Sequence, residues 1–297
     1  MPQIIKDTLP MSLQMIPESL AAACKKHGIP TFKGKLYKHE GPLTQNGDDW
    51  GNPIFDHVND NTVVLGGAVL ALRYLFDSSS GFMPDTLNTI YGVNANVQVP
   101  ERSTAVKLFG VGTGGASAEK FGDVVDPDFK QKELVDWIPF RVSDSPTLSA
   151  SDADKYYFRR QFSSAPSVQY GWYLKELENI GNVEIQSRWK DTVDATGTGA
   201  LITSDVSGNT STNLIETYAE CILKITEDDI KPYFEFSGDL TMARYNTIGL
   251  FTGVKQTIAT DYEDYVGVRL FSVVNMDNVS VKIPTECTYL YRIYAAI

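Results

Sequence analysis

The sequence predicts an α+β fold that is mostly β, with antiparallel or mixed sheets in a sandwich or partly open barrel, a few short helices and an extended N-terminal arm. Two observations lead to this fold class. From Glu133 onward the hydrophobic residues recur mainly with a period of two, which is typical of strands. The aromatic residues lean towards tyrosine, with 15 Tyr, 14 Phe and 4 Trp in 297 residues, and that enrichment suits strands. Closely spaced strands with few helices between them imply antiparallel or mixed sheets.

The overall composition is that of a soluble globular protein, with 42% hydrophobic and 21% charged residues. The formal net charge of −11 repels phosphate backbones, so we expect no sequence-specific nucleic-acid binding. The three scattered cysteines form no disulfide framework, and the first residues lack the pattern of a secretory signal. We therefore expect the chain to fold inside a cell.

Residues 1–60 are predicted to form an irregular N-terminal arm with one helix, which begins at Pro17 and ends at Gly28. Prolines interrupt the rest of the arm, so its apolar residues are too scattered to fold alone, yet they are costly to leave in water. We therefore predict that an adjacent subunit orders residues 1–17. The apolar residues predicted to make these assembly contacts include Ile4, Ile5, Leu9 and Met11.

Residues 61–297 are predicted to form the main β-rich domain, which opens on the most apolar stretch of the chain, residues 61–76. A strand over 62–65 and a helix over 68–76 are expected there, with two glycines between them. The stretch is shorter than the roughly 18 apolar residues that a membrane helix needs. We expect a core element and no membrane partner.

The remaining elements follow from local patterns along the chain. Residues 31–39 read as an extended pair of short strands, 85–91 as a short helix, and 104–109 as a strand that enters a glycine cluster. Thr226 and Asp229 have the spacing of a capping box that opens a short helix, which Pro232 should cut off. The further strands predicted from the period of two are 135–142, 155–162, 168–177, 183–189, 217–226, 244–251, 262–274 and 287–295.

A long polar segment, residues 191–213, is dominated by Thr, Ser, Gly, Asp and Asn around one apolar pair, Leu201 and Ile202. One interpretation is a plain surface loop. The other is a protruding hairpin whose apolar pair docks on a neighbouring subunit, because an ordered loop of this length without secondary structure is uncommon.

No motif predicts catalysis, a cofactor or a metal. Gly110, Gly112 and Gly115 match the spacing of a dinucleotide fingerprint, but no helix of useful length and no second β-α-β unit follow. A tight turn with positive φ angles explains these glycines better. The three histidines are all in the first fifth of the chain, and zinc-protease and hydrolase motifs are absent. Pairs of carboxylates such as Asp228 with Asp229 and Glu263 with Asp264 are expected to be solvated loops or helix caps. We predict that the protein is not an enzyme.

Two adjacent arginines, Arg159 and Arg160, lie within an aromatic strand. Strand alternation places them on opposite faces, so they do not form a continuous phosphate-binding patch. An ion pair across an interface with copies of this acidic chain is the expected role.

Six segments of the main domain follow one another in a characteristic order. They are an aromatic strand with basic residues at 155–162 and a Tyr-Arg-Ile-Tyr strand near the C-terminus, with four longer runs in the main domain. These runs are K-L-F-G-V-G-T-G-G-A at 107–116, V-E-I-Q-S-R-W-K-D at 183–191, E-T-Y-A-E-C-I-L-K-I-T-E-D-D-I at 216–230 and M-A-R-Y-N-T-I-G-L-F at 242–251. Together these segments resemble virion structural proteins of large tailed bacteriophages.

The resemblance implies a structural subunit in a phage virion, made in the bacterial host cytoplasm and assembled into a symmetric ring or lattice. The first expected position is the neck or collar that joins head to tail. Its expected partners are copies of itself and other virion proteins. The alternatives are a capsid decoration, a tail or baseplate protein, a tail-associated carbohydrate-binding module or hydrolase, and a host cytosolic binding protein. The acidity would either keep DNA from sticking to a passage or keep the unassembled subunit soluble.

Overall fold

Two antiparallel sheets make up most of the described part of the chain. A computed structural model describes residues 31–40, 59–60, 62–63, 86–95, 97, 105–117, 123–128, 130–163, 167–193, 199–201, 215–259, 262–280 and 286–296. The strands in chain order are β1 (Thr31–Glu40), β2 (Asn59–Asp60), β3 (Thr62–Val63), β4 (Ala105–Gly112), β5 (Trp137–Ile138), β6 (Arg141–Ser143), β7 (Tyr156–Ser163), β8 (Gln169–Glu176), β9 (Glu184–Val193), β10 (Gly199–Leu201), β11 (Ile215–Ile225), β12 (Arg244–Ala259), β13 (Tyr262–Ser280) and β14 (Cys287–Ala296).

The first sheet has six strands in the order β10-β9-β11-β14-β1-β2. The C-terminal strand β14 lies at its centre and pairs along its whole length with β1. Residues 31–40 therefore form one continuous strand, and the prediction of two short strands there is wrong, because ten consecutive residues find partners on β14. Tyr289 and Tyr291 alternate along β14 and place two buried rings in the core.

The second sheet has eight strands, in the order β3-β13-β12-β4-β8-β6, with β5 beside β4 and β7 beside β8. Its longest pair is the hairpin of β12 and β13, which extends both strands beyond the predicted ends. Strand β7 pairs only with β8 in the described part of the chain, so it forms an edge of this sheet.

Strands β4 and β8 pair at one end and diverge towards the other. They pair only where Leu108 and Phe109 oppose the end of β8. Beyond that point β5 pairs with β4 and β6 pairs with β8, so residues 137–143 fill the gap. The single strand predicted over 135–142 is thus two short strands. Asp136 has a φ of 47° just before β5, and Pro139 lies between the two pieces, so the backbone cannot stay extended throughout.

The core consists of two apolar clusters on opposite faces of the eight-stranded sheet. The first contains side chains of both sheets, such as Leu223 and Tyr289 from the six-stranded sheet and Phe109 and Leu250 from the other. The second lies on the far face and includes Leu87 from a short helix, α1 (Leu87–Ile90). The predicted mostly β fold with antiparallel sheets and few helices is confirmed.

The main helix, α2 (Glu227–Ser237), begins at the predicted capping box. The Asp229 carboxylate accepts a 2.7 Å hydrogen bond from the amide of Thr226. The helix runs past Pro232 and ends at Gly238, whose φ is 78°, so the prediction that Pro232 cuts it off is wrong. Proline removes the hydrogen bond to the carbonyl four residues earlier, that of Asp228. An Arg141 guanidinium nitrogen donates to this carbonyl instead, at 2.5 Å.

The glycine cluster after β4 serves close packing. None of Gly110, Gly112, Gly114 and Gly115 has a positive φ, which contradicts the prediction of a tight turn with positive φ angles. A Cβ at Gly115 would collide with the backbone of Asn246, and one at Gly112 would lie 2.7 Å from the carbonyl oxygen of Val135. The residues are small because other backbone segments pass directly over them.

Several predicted elements lie outside the described residues. They are residues 1–30 and 41–58 of the N-terminal arm, with its predicted helix, the helix over 68–76 and most of the polar segment 191–213, of which β9 reaches Val193 and β10 ends at Leu201. The rest of the predicted irregular arm is described as the strands β1 and β2. Of the predicted strand at 62–65, Thr62–Val63 is described as β3. None of the described helices is both long and apolar enough to cross a membrane.

Candidate functional site

The edge strand β7 carries the two arginines that the sequence singled out, and its backbone turns sharply just before them. Phe158 has a φ of 58°, a left-handed conformation that is unusual for a bulky residue. The carboxylate of Asp264 stabilises this turn, because its Oδ1 accepts hydrogen bonds from the amides of Phe158 at 2.7 Å and Tyr265 at 2.8 Å. The Tyr262 hydroxyl donates to Oδ2 at 2.6 Å.

Asp264 is fully buried, and neutral groups supply its hydrogen bonds. Burial raises the pKa of its carboxyl group above the ordinary value, and the donors around it oppose that rise without overcoming it. The side chain thus holds the left-handed turn of β7 at an electrostatic cost, which indicates a positioning role for Asp264 at this edge.

Arg159 and Arg160 take different environments. Arg159 donates to the carbonyl of Pro146 and lies over the rings of Tyr170 at 5.6 Å and Tyr262 at 4.7 Å. Its guanidinium is therefore bound within the chain. The predicted ion pair across an interface remains a prediction for both arginines.

Arg160 lies against an aromatic cluster instead. Its guanidinium carbon is 3.3 Å from the ring centre of Tyr91, 4.7 Å from that of Tyr173 and 5.8 Å from that of Trp137. Gly171, opposite Arg160 on β8, leaves room for this stack, since a Cβ there would lie 2.9 Å from the Tyr173 ring. The aromatic rings pack against the guanidinium, and no acceptor in the described part of the chain pairs with its N–H groups, which could therefore bind a partner.

The electrostatics of this arginine follow from its partial burial. Desolvation lowers the pKa of Arg160, while Tyr173 and the nearby carboxylate of Glu133 raise it. For Glu133, an acid, burial has the opposite effect and raises the pKa, while the charge of Arg160 lowers it. Burial brings the pKa of Tyr173 to about 12, against the attraction of Arg160. An arginine stays charged at neutral pH, so Arg160 is a cation in surroundings drier than water.

A second polar cluster joins α2 to the eight-stranded sheet. The fully buried Asp229 accepts hydrogen bonds from the Tyr156 hydroxyl at 2.6 Å and from the Lys175 ammonium at 3.1 Å. Burial opposes ionisation of this carboxyl group, but the Lys175 charge and the hydrogen bonds together lower its pKa below the ordinary value. Arg141 lies over the Tyr156 ring at 4.0 Å. These contacts fix the start of the helix against the sheet.

The prediction that paired carboxylates are solvated loops or helix caps is wrong for Asp264, which lies in β13 and is 0% exposed. Asp229 is a helix cap, as predicted, although its side chain is also 0% exposed. Their neighbours Asp228 and Glu263 are more exposed. The capping-box spacing signalled the position of Asp229, but nothing local signalled its ion pair with Lys175. For Asp264 the only signal is that it directly precedes an apolar run.

An exposed apolar cluster follows the end of α2. Phe236, Leu240 and Met242 are 47%, 47% and 43% exposed, and they lie within seven positions of one another. The ring of Phe162, near the end of β7, packs edge-to-face on Phe236 at 5.3 Å. We call these four residues the apolar patch. The sequence pattern does not predict it, because the helix is expected to end near Pro232, before Phe236.

Among the residues that the structure describes, no group of three or more His, Cys, Asp and Glu side chains is arranged to hold a metal ion. Cys221 and Cys287 are free and buried, and burial raises the pKa of the Cys221 thiol to about 12. That thiol is therefore a poor nucleophile at neutral pH.

Of the other predicted assembly contacts, one lies within the described residues. Leu201 is the last residue of β10, at an edge of the six-stranded sheet. The contacts predicted for Ile4, Ile5, Leu9, Met11 and Ile202 lie outside the described residues.

Comparison with known proteins returns no match among family models, characterised proteins or solved structures.

Proposed function

We propose that the chain is a structural subunit of a tailed-phage virion, which assembles into a symmetric ring or lattice at the neck or collar joining head to tail. The self-assembly part of this proposal rests on the apolar patch. The virion and its neck rest on the sequence resemblance.

The apolar patch is the observation that carries self-assembly. Three of its four side chains, those of Phe236, Leu240 and Met242, each leave more than two fifths of their surface in water. Large exposed apolar side chains grouped in one region mark an interaction site more often than isolated ones do. Covering the exposed part of each side chain contributes on the order of 1 kcal/mol. A partner that covers all three therefore gains a substantial part of the free energy of association.

The buried carboxylates support a framework role. Glu220 accepts a 2.6 Å hydrogen bond from Arg292, Asp229 binds Lys175, and Asp264 binds backbone amides. A catalytic acid or base has to exchange its proton with a substrate, which requires access to it. These three side chains are at most 3% exposed and hold the fold together.

The test of self-assembly compares the purified wild-type chain with the double variant Leu240→Ser, Met242→Ser by sedimentation velocity and electron microscopy. We expect the wild type to form closed oligomers of one size and the variant to associate at least about tenfold more weakly, which corresponds to about 1.4 kcal/mol. The control is Val135→Ser, a side chain 49% exposed that lies outside the patch, and it should assemble like the wild type.

The test of the virion assignment is antibody labelling of phage particles that carry the chain. A labelled ring at the neck supports the proposal. Label on the capsid surface or on the tail would instead assign the chain to that part of the virion and contradict a position at the neck. A wild-type chain that stays monomeric at high concentration and is missing from particles would refute both parts. Activity on polysaccharide would instead favour the tail-associated hydrolase.

A further inference from the structure

Arg160 presents an arginine edge with no protein acceptor in the described part of the chain. Its contacts there are the rings of Tyr91, Tyr173 and Trp137, and neither a hydrogen bond nor an ion pair reaches its N–H groups. Two other arginines differ: Arg159 donates to Pro146, and Arg141 donates to the carbonyls of Phe140 and Asp228.

The aromatic rings prepare this edge for an anion. Rings packed against the guanidinium restrict the side chain, so binding a partner costs less side-chain freedom than it would for an extended surface arginine. Partial burial also lowers the local dielectric, which strengthens attraction to an anion. The fork of a guanidinium matches two oxygens of one carboxylate.

We propose that Arg160 is a carboxylate-binding site, filled by an acidic side chain from a second copy of this chain. The inference rests on the proposed self-assembly. Charge complementarity favours that occupant, because the chain has 37 acidic and 26 basic residues. It also exposes carboxylates that form no ion pair in the described part, such as those of Asp126, Asp144 and Asp154.

Glu133 is the internal competitor for this site. Its carboxylate is close enough to raise the pKa of Arg160, yet the two side chains form no direct ion pair in the described part. If a second copy supplies the carboxylate, Glu133 repels it and weakens the contact. If Glu133 were itself the functional partner of Arg160, removing its charge would weaken self-association instead. The sign of the Glu133→Gln effect therefore separates the two roles.

The experiment measures the self-association constant by sedimentation equilibrium at low and high salt, for the wild type and four variants. We expect Arg160→Gln to weaken association about tenfold and to reduce its salt dependence. Arg160→Lys should fall between this variant and the wild type, since lysine keeps the charge without the fork. Glu133→Gln should strengthen association. The control Lys155→Gln makes the same change of net charge at an exposed residue just before β7 and should leave association unchanged.

Near-UV circular dichroism shows whether each variant keeps its aromatic packing, and Arg160→Lys preserves the test if Arg160→Gln does not fold. A wild type that self-associates while Arg160→Lys and Arg160→Gln do so equally well overturns the Arg160 site and leaves the proposed function standing. Weaker association of Glu133→Gln also overturns it. A monomeric wild type overturns the proposed self-assembly and the site with it.

Discussion

The Tyr156 hydroxyl donates a 2.6 Å hydrogen bond to the Asp229 carboxylate, although the two residues are 73 positions apart in the chain. The bond joins the edge strand β7 to the first turn of α2, and both side chains are buried. Lys175 supplies the compensating charge at 3.1 Å. This contact connects the strand that carries Arg159 and Arg160 with the helix that leads into the apolar patch.

Tyr156→Phe should lower the free energy of unfolding by about 1–3 kcal/mol, because a buried carboxylate loses a donor that nothing replaces. The measurement is urea unfolding at neutral pH. Tyr170→Phe is the matched control: Tyr170 lies on β8 and is half-buried, so losing its hydroxyl should change stability by less than about 0.5 kcal/mol. Equal effects of the two changes would contradict a special role for the Tyr156 bond.

Asp229 and Asp264 should affect stability in opposite ways as the pH falls. Both are fully buried, but Asp229 has the Lys175 ammonium beside it and Asp264 is bound by neutral donors. The pKa of Asp229 is accordingly lowered from the ordinary value of 3.8, and the pKa of Asp264 is raised from it.

The direction in which stability changes with pH follows from whether the folded or the unfolded chain binds more protons. For Asp229 the unfolded chain binds its proton first, so its stabilising contribution is present above pH 3.8 and is lost as the pH falls through the folded pKa. For Asp264 the folded chain binds its proton first. Its contribution therefore becomes more favourable as the pH falls through the folded pKa towards 3.8.

The measurement is the free energy of unfolding as a function of pH for the wild type, Asp229→Asn and Asp264→Asn. The stability difference between wild type and Asp264→Asn should shift in favour of the wild type as the pH falls from neutral towards 3.8. The difference between wild type and Asp229→Asn should shrink below that pH. Parallel curves for the two variants would show that the environments of the carboxylates do not differ in this way.

Arg141 and Pro232 should be energetically coupled. Pro232 leaves the Asp228 carbonyl without its helical donor, and Arg141 donates to that carbonyl at 2.5 Å. Pro232→Ala restores the helical amide, so Arg141→Gln should cost about 1 kcal/mol less in that background than in the wild type. A double-mutant cycle of urea unfolding measures the difference, and additive effects would disprove the coupling.

The sequence determined the elements whose formation depends on near neighbours. The period of two located strands such as β8 and β14, since alternating side chains report which face of a strand is buried. The capping box at Thr226 located the start of α2, because its hydrogen bond joins residues three apart. Alternation also predicted opposite faces for Arg159 and Arg160, whose contacts differ.

Only the tertiary structure decided the features whose causes lie far away in the chain. Pro232 was expected to end the helix, but the helix continues past it. Arg141, on β6, donates to the Asp228 carbonyl that the proline leaves without a helical donor. The glycines after β4 were expected to form a turn, but they are small because Asn246 and Val135 pass over them. Asp264 was expected to be solvated, but it is buried to hold the left-handed Phe158. A local pattern records the conformation that a segment prefers, whereas these outcomes depend on which distant donor, backbone or charge the fold brings beside it.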